Sequence, residues 1–83
     1  MDKKHYKMWA TVECSFCIKA QELFLAEGIP HETIILSRGA ELDQIKERYN
    51  HATVPIIIEK GTDETERLVG GYTDLALDLG VEI

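Results

Sequence analysis

The chain has 83 residues, of which 45% are hydrophobic, and a formal net charge of −6. This length supports one small domain over residues 1–83, and the acidic excess argues against a nucleic-acid partner, whose phosphates would be repelled. No apolar run approaches the roughly 20 residues that a bilayer requires, which argues against a membrane protein.

The first half of the chain alternates strand and helix patterns. Residues 6–12 are apolar and aromatic without helical spacing, which predicts a buried strand. A helix is predicted from the Cys-x-x-Cys motif to Glu27, after which Gly28 supplies a left-handed cap and Pro30 prevents continuation. The apolar stripe predicted for this helix consists of Phe16, Cys17, Ala20, Leu23 and Phe24.

The second half of the chain predicts another helix and a hairpin, which completes the order β-α-β-α-β-β-α. The helical crossover between the first two strands makes them a parallel pair. A short turn at Gly61 makes the last two strands antiparallel. The remaining predicted elements are a strand over 32–36, a helix over about 41–49, strands over 54–59 and 66–69, and a last helix capped by Thr73 or Asp74 and ended by Gly80.

The only two cysteines form the motif Cys14-Ser15-Phe16-Cys17 at the junction of the first strand and the first helix. At a helix start, unpaired N–H groups and the positive end of the helix dipole favour a thiolate. We therefore expect Cys14 to be the accessible nucleophile with a lowered pKa. Cys17, one turn into the helix, is expected to be more buried and to resolve the mixed disulfide that Cys14 forms.

A zinc half-site is the alternative interpretation of this motif. Structural zinc needs four ligands, and the chain has no second cysteine pair. His5, His31 and His51 lie in different predicted elements without ligand spacing, so we expect each to be solvated or locally hydrogen-bonded. We predict no metal site from these residues. Because the first residues lack the apolar segment of a signal peptide, a cytoplasmic location is expected, where paired cysteines are more often catalytic than structural.

The tripeptide Thr53-Val54-Pro55 is a second candidate feature, because a proline after Thr-Val at a strand start is a plausible cis-peptide site. A cis bond there would leave the Val54 backbone open to pair with an extended peptide. An ordinary trans proline at the start of a strand is the alternative.

The segment from Gly70 to Asp74 is a third candidate feature. The two glycines permit close backbone approach, and the free N–H groups of the following helix suit a carboxylate. Asp74 could accept hydrogen bonds from an ammonium group, so this corner fits an α-amino acid end. The alternative is a turn followed by an ordinary helix cap.

Together, Cys-Ser-Phe-Cys, Thr-Val-Pro and Gly-Gly-Tyr-Thr-Asp-Leu on this order of elements closely resemble a dithiol glutaredoxin over essentially the whole chain. The resemblance implies a thioredoxin-like α/β fold. Its four-stranded mixed sheet would be flanked by helices, with the first strand between the second and third. It also implies a monomeric glutathione-disulfide oxidoreductase, active in electron transport and cell redox homeostasis. Protein disulfides would be its substrates, ribonucleotide reductase among the candidates.

The resemblance further implies where glutathione binds. The residue before the proline, Val54, would pair with the cysteinyl backbone, in the segment that also contains Thr53 and Pro55. The γ-glutamyl end would be held by Tyr72, Thr73 and Asp74. Lys46 and Arg48 are candidates for the glycine carboxylate.

Three departures from the glutaredoxin pattern leave alternatives open. Ser15-Phe16 replaces the usual Pro-Tyr, Thr11 stands where many members have lysine, and the last predicted helix is short. A dimer that binds a [2Fe-2S] cluster through Cys14 and glutathione is one alternative, which Ser15 favours and the second cysteine disfavours. An electron carrier reduced by thioredoxin reductase is the other.

Overall fold

The computed structural model describes residues 5–61, 63 and 65–80, and its seven elements follow the predicted order. Element bounds differ from the predicted ones by one or two residues at most positions, because strand and helix ends depend on tertiary contacts. The elements are β1 (His5–Ala10), α1 (Ser15–Ala26), β2 (His31–Ile35), α2 (Ala40–Arg48), β3 (Ile56–Lys60), β4 (Glu66–Gly70) and α3 (Tyr72–Leu79).

The four strands form one mixed sheet in the order β2-β1-β3-β4. Strand β1 is parallel to β2 and antiparallel to β3, and β3 and β4 form an antiparallel hairpin. Trp9 of β1 stands opposite Ile34 on one side and Ile56 on the other, so β1 and β3 occupy the centre of the sheet. The predicted fold class is thus confirmed, including the position of the first strand between the second and third.

Alternate residues of the central strands face different helices, as expected for strands buried on both sides. Tyr6, Met8 and Ala10 pack in the same cluster as α1 and α3, whereas Trp9 packs with side chains of α2. The packing places α1 and α3 on one face of the sheet and α2 on the other. None of the helices in the described residues has the length and apolar character needed to cross a membrane.

Two predicted strands are shorter than expected. β1 ends at Ala10, and Val12 is 80% exposed because it belongs to the loop that leads into α1. β3 begins at Ile56 rather than at residue 54, because Val54 and Pro55 lie outside the ladder with β1. Both shortenings lengthen the loops that precede α1 and β3.

The termini of the helices confirm some predictions and correct others. Gly28 and Gly80 have φ of 64° and 73°, so both occupy the left-handed conformation predicted for a helix end. The expectation that Thr73 or Asp74 caps the last helix is wrong, since the N-cap is Gly71. Asp74 lies three residues further on, and its carboxylate accepts a hydrogen bond from the Gly71 N–H at 3.0 Å.

Candidate active site

Cys14 is the N-cap of α1 and is joined to Cys17 by a disulfide bond. Its backbone is extended, with φ −138° and ψ 102°, and its Sγ accepts a hydrogen bond from the Cys17 N–H at 3.1 Å. A sulfur in the N-cap position receives one of the N–H groups that the first helical turn leaves unpaired. In the reduced protein the same N–H would favour the thiolate of Cys14.

The two sulfurs differ in access, as predicted. Cys17 is only 4% exposed and packs in the core with Ala20 and Phe24, whereas Cys14 is half-buried at its margin. The accessible sulfur therefore belongs to the residue at the helix start. Cys17 is therefore the shielded member of the pair, and Cys14 is the member that an incoming molecule can reach.

A cavity of about 220 Å³ lies beside the motif. It brings together the α2–β3 loop, the start of α3 and one side chain of α1, three segments that are distant in the sequence. All six residues predicted from the second and third motifs line it. The lining residues are Phe16, His51, Thr53, Val54, Pro55, Gly71, Tyr72, Thr73 and Asp74.

The Val54–Pro55 peptide bond is cis, as the sequence suggested. Within the described residues, none of the backbone hydrogen bonds outside the regular elements involves Val54. Pro55 is buried, and Val54 packs at the edge of the core cluster that contains Cys17. The loop is therefore anchored by its apolar side chains, while the Val54 backbone is left without a partner in this part of the chain.

The start of α3 forms the opposite wall of the cavity. Gly70 has φ 120°, and a Cβ at this position would collide with the Asp74 carboxyl group, so only glycine fits. Gly71 has ordinary space around it, with φ −98°. Gly70 thus permits close approach of the Asp74 carboxyl group to the backbone, and Gly71 serves as the N-cap of α3.

Phe16 does not lie on the buried stripe of α1 that its spacing predicted. It is 52% exposed, and its ring stacks on Tyr72 with centroids 6.3 Å apart. Phe16 directly precedes the buried Cys17, so the two side chains point to different sides of α1, and that of Phe16 is turned away from the core. Lys19 places its Nζ 5.3 Å from the centroid of the Phe16 ring. Phe16 therefore forms part of the cavity wall instead of the core.

His51 is the lining residue that the sequence analysis assigned to no site. Its Nδ1 lies 2.8 Å from the Thr53 carbonyl oxygen, which confirms the expected local hydrogen bond for this histidine. His31 makes the equivalent contact to the Ile29 carbonyl at 3.0 Å. The proximity of His51 to Thr53 in the sequence was the available signal for its place in the cavity.

The two basic residues suggested for the glycine carboxylate do not line the described part of this cavity. Arg48 lies over the Tyr49 ring on the α2 face, with its Cζ 5.3 Å from the centroid. Lys46 is half-buried, and its carbonyl accepts a hydrogen bond from the His51 backbone N–H. Their assignment to glutathione stays a prediction.

No family model and no curated protein sequence matches this chain. Among solved structures, glutaredoxin 1 from Francisella tularensis, crystallised as a complex with cacodylate, is similar with a TM-score of 0.77. The two are 21% identical over 93% of each chain. A DsbH oxidoreductase is similar with a TM-score of 0.53 and 12% identity, over 93% of this chain and 69% of that one.

These likenesses show that the chain has a thioredoxin-like fold. The four-stranded sheet, the three helices of the described residues and the Cys14–Cys17 pair fit the dithiol glutaredoxin-like form of that fold. The resemblance inferred from the three motifs is therefore confirmed at the level of the fold.

Proposed function

We propose that this protein is a glutathione-dependent thiol–disulfide oxidoreductase that reduces protein disulfides and glutathione mixed disulfides. The observation that carries the proposal is the position of Cys14. Its Sγ receives the Cys17 N–H at the start of α1, beside a cavity lined by the Thr-Val-Pro and Tyr-Thr-Asp segments. A nucleophilic sulfur and a binding cavity for the reductant are the two parts that such a reaction needs.

With a glutathione mixed disulfide, Cys14 alone carries the reaction. Its thiolate attacks the glutathione sulfur, which forms a disulfide between Cys14 and glutathione and releases the substrate as a thiolate. A second glutathione thiolate then attacks the sulfur of the bound glutathione. Oxidised glutathione leaves, and the Cys14 thiolate is regenerated, so two electrons pass from two glutathione molecules to one mixed disulfide.

With a protein disulfide, both cysteines take part. Cys14 attacks one substrate sulfur, and the other leaves as a thiolate. Cys17 then loses its proton and attacks the Cys14 sulfur, which releases the reduced substrate and closes the Cys14–Cys17 disulfide seen in the structure. Two glutathione molecules, attacking one after the other, reduce this disulfide and leave as oxidised glutathione.

The polarity of the cavity supports glutathione as the reductant. Val54 offers a backbone N–H and C=O that have no hydrogen-bond partner among the described residues, which suits the cysteinyl backbone of an extended tripeptide. The first turn of α3 offers N–H groups to a carboxylate, and Asp74 offers an oxygen to an ammonium group. The γ-glutamyl end of glutathione carries both groups.

The test is turnover of a small glutathione mixed disulfide with glutathione, glutathione reductase and NADPH. Wild type is expected to consume NADPH, and Cys14→Ser is expected to show no turnover above the uncatalysed rate. Cys17→Ser is expected to retain this reaction and to lose reduction of a protein disulfide. Turnover by Cys14→Ser equal to that of wild type would refute the proposal. If the wild type shows no turnover but is rapidly reduced by thioredoxin reductase, then thioredoxin reductase and not glutathione is the reductant.

A further inference from the structure

His51 lies on the wall of the cavity, and the reaction described above gives it no role. Two hydrogen bonds hold this half-buried residue in place. Its backbone N–H donates to the Lys46 carbonyl at 2.9 Å, and its ring Nδ1 lies 2.8 Å from the Thr53 carbonyl oxygen. The ring therefore has a defined orientation relative to the Thr53-Val54-Pro55 loop.

The contact with Thr53 determines which ring nitrogen carries hydrogen. A carbonyl oxygen can only accept, so Nδ1 must be the donor. In the neutral ring Nε2 then carries no hydrogen and is an acceptor, whereas in the protonated ring it is a charged donor. No hydrogen bond or ion pair in the described part of the chain involves Nε2. Nε2, whose protonation follows from the hydrogen bond made by Nδ1, is thus available to a ligand.

The ring also lies next to the start of α3. Its Cε1 would be 4.0 Å from a Cβ built on Gly71, the N-cap of that helix. The titratable groups of α3 that face the same cavity are Tyr72 and Asp74. Asp74 already accepts from the Gly71 N–H, which directs one of its carboxylate oxygens toward the helix start.

Other charges around His51 come from the remaining elements that border the cavity. On the α1 side Lys19 lies over the Phe16 ring, and on the α2 side Lys46 precedes the loop. Among the described lining residues, His51 is the side chain that can carry a positive charge. A protonated ring beside Asp74 supplies a positive charge for a carboxylate, while Asp74 supplies a negative charge for an ammonium group.

We propose that His51 is a ligand-binding residue whose protonated Nε2 binds a carboxylate in this cavity. The inference rests on the proposed function, under which the carboxylate is the α-carboxylate of the γ-glutamyl group. The position of the ring beside Gly71 and Asp74 favours that end of glutathione over the glycine end. Because the charged ring makes the stronger hydrogen bond, glutathione binds more tightly as the pH falls through the histidine range.

The experiment is calorimetric binding of S-methylglutathione to the disulfide form of the protein at several pH values. S-methylglutathione has no thiol, so ionisation of cysteine does not enter the measurement. Wild type is expected to bind about three- to fivefold more tightly near pH 5.5 than near pH 8, the gain typical of one partly exposed ion pair. The same ligand is used for every variant, so any change in the ligand's own ionisation affects all of them equally, and the comparison with His51→Asn isolates the contribution of the ring.

The main variant is His51→Asn, whose amide N–H can replace Nδ1 at the Thr53 carbonyl but has no group at the position of Nε2. It is expected to bind at all pH values with the affinity that wild type shows near pH 8. His51→Gln, which places a neutral amide near the position of Nε2, is expected to bind without pH dependence and more tightly than His51→Asn. The second variant keeps the test decisive if the first does not fold.

His31→Asn is the matched control, because His31 also has its Nδ1 on the carbonyl of a residue two positions away. Its ring stacks on Phe24 with centroids 4.6 Å apart and does not line the cavity. This variant is expected to retain the pH dependence of wild type. The glycine ethyl ester of S-methylglutathione is also expected to retain it, and loss of the dependence with the ester would overturn the γ-glutamyl assignment.

The possible failures are distinguishable. If wild type binds S-methylglutathione at no pH, the proposed function fails, and the role of His51 fails with it. If wild type binds and His51→Asn shows the same affinity and the same pH dependence, the glutathione site stands and the inference about His51 is wrong.

Discussion

The two faces of the sheet differ in both packing and chemistry. The α2 face holds a small cluster of Trp9, Ile56 and Ile58, bordered by Ile45 of α2 and by Tyr49, the C-cap of that helix. The face covered by α1 and α3 holds the larger cluster, which includes one of the two cysteines. Its buried members are Tyr6, Met8, Ala10, Cys17, Ala20, Phe24, Ile57 and Leu75.

This difference shows how a small domain combines a packed core with a half-buried cysteine at the margin of that core. Cys17 and Leu75 are buried three or four residues after the N-caps of α1 and α3, and they anchor the two helix starts against the sheet. The N-caps themselves, Cys14 and Gly71, lie at the margin of the core, where unpaired N–H groups are available to sulfur and ligand. Among the described residues, the α2 side of the sheet contributes to the cavity through the loop that follows α2.

The substitution with the largest expected effect on stability lies on the face of the sheet covered by α1 and α3. Phe24→Ala removes a fully buried ring that contacts Tyr6 and His31, and it is expected to lower the free energy of unfolding by about 4 kcal/mol. This is a large share of the total stability of a domain of this size, so the active site should be lost together with the fold under mild denaturant. Urea unfolding, followed by the Trp9 fluorescence and by turnover in parallel, measures both.

The matched variant on the other face is Tyr49→Ala. Tyr49 is half-buried, its ring lies 5.1 Å from that of Trp9, and its hydroxyl donates to Glu66 at 3.1 Å. We expect a loss of about 1–2 kcal/mol and unchanged turnover, since the ring pair and one exposed hydrogen bond are removed far from the disulfide. Equal losses of stability and activity in the two variants would contradict the contrast between the faces.

A smaller effect is expected at the start of α3, where the Asp74 carboxylate accepts from the Gly71 N–H and, under the proposed function, would also bind glutathione. Asp74→Asn keeps an oxygen that can accept from the Gly71 N–H but removes the charge, so stability should change little while the KM for glutathione rises about fivefold. Asp74→Ala also removes the hydrogen bond and should lose about 1 kcal/mol of stability in addition. Unfolding and steady-state kinetics on the same preparations separate the two effects. An unchanged KM in both variants would remove Asp74 from the binding site.

The smallest effect concerns a charged network on the margin of the α1/α3 face. The Tyr6 hydroxyl lies 3.2 Å from an Asp78 oxygen and 3.4 Å from a Glu59 oxygen, and Arg67 pairs with both carboxylates at 2.9 Å. Burial of the hydroxyl, together with the negative charge of Asp78 and Glu59, raises the pKa of Tyr6 well above the ordinary tyrosine value. The native state therefore holds this proton at pH values where the unfolded chain has lost it.

The sign of the pH effect follows from that difference. Stability supplied by Tyr6 is fully present below the ordinary tyrosine pKa near 10 and falls as the pH rises above it. Tyr6→Phe is expected to be about 1 kcal/mol less stable than wild type at neutral pH, because one hydrogen bond is lost. The gap should narrow above about pH 10. Urea unfolding at a neutral and an alkaline pH tests this, and a gap that stays constant would contradict the raised pKa.

The helix ends were largely predictable, because each depends on neighbouring residues alone. Gly28 is left-handed and Gly80 ends α3, both as predicted. The difference in access between Cys14 and Cys17 was also predicted correctly, from their positions at and after the start of α1. The burial of Phe16 was predicted wrongly. Helical spacing places it next to the apolar stripe, but its burial depends on what packs against that side of α1, where it meets Tyr72 at the cavity instead of the core.

The sequence by itself determined the order of the elements, the redox pair at a helix start and the three motifs that identify the fold. Only the tertiary structure decided that His51 shares a cavity with Asp74, and that Tyr6 meets a carboxylate 72 positions away. Periodicity and capping are properties of adjacent residues, so they can be read along the chain. Contacts between distant residues arise when strands pair and helices dock, and they depend on the packing of the whole domain.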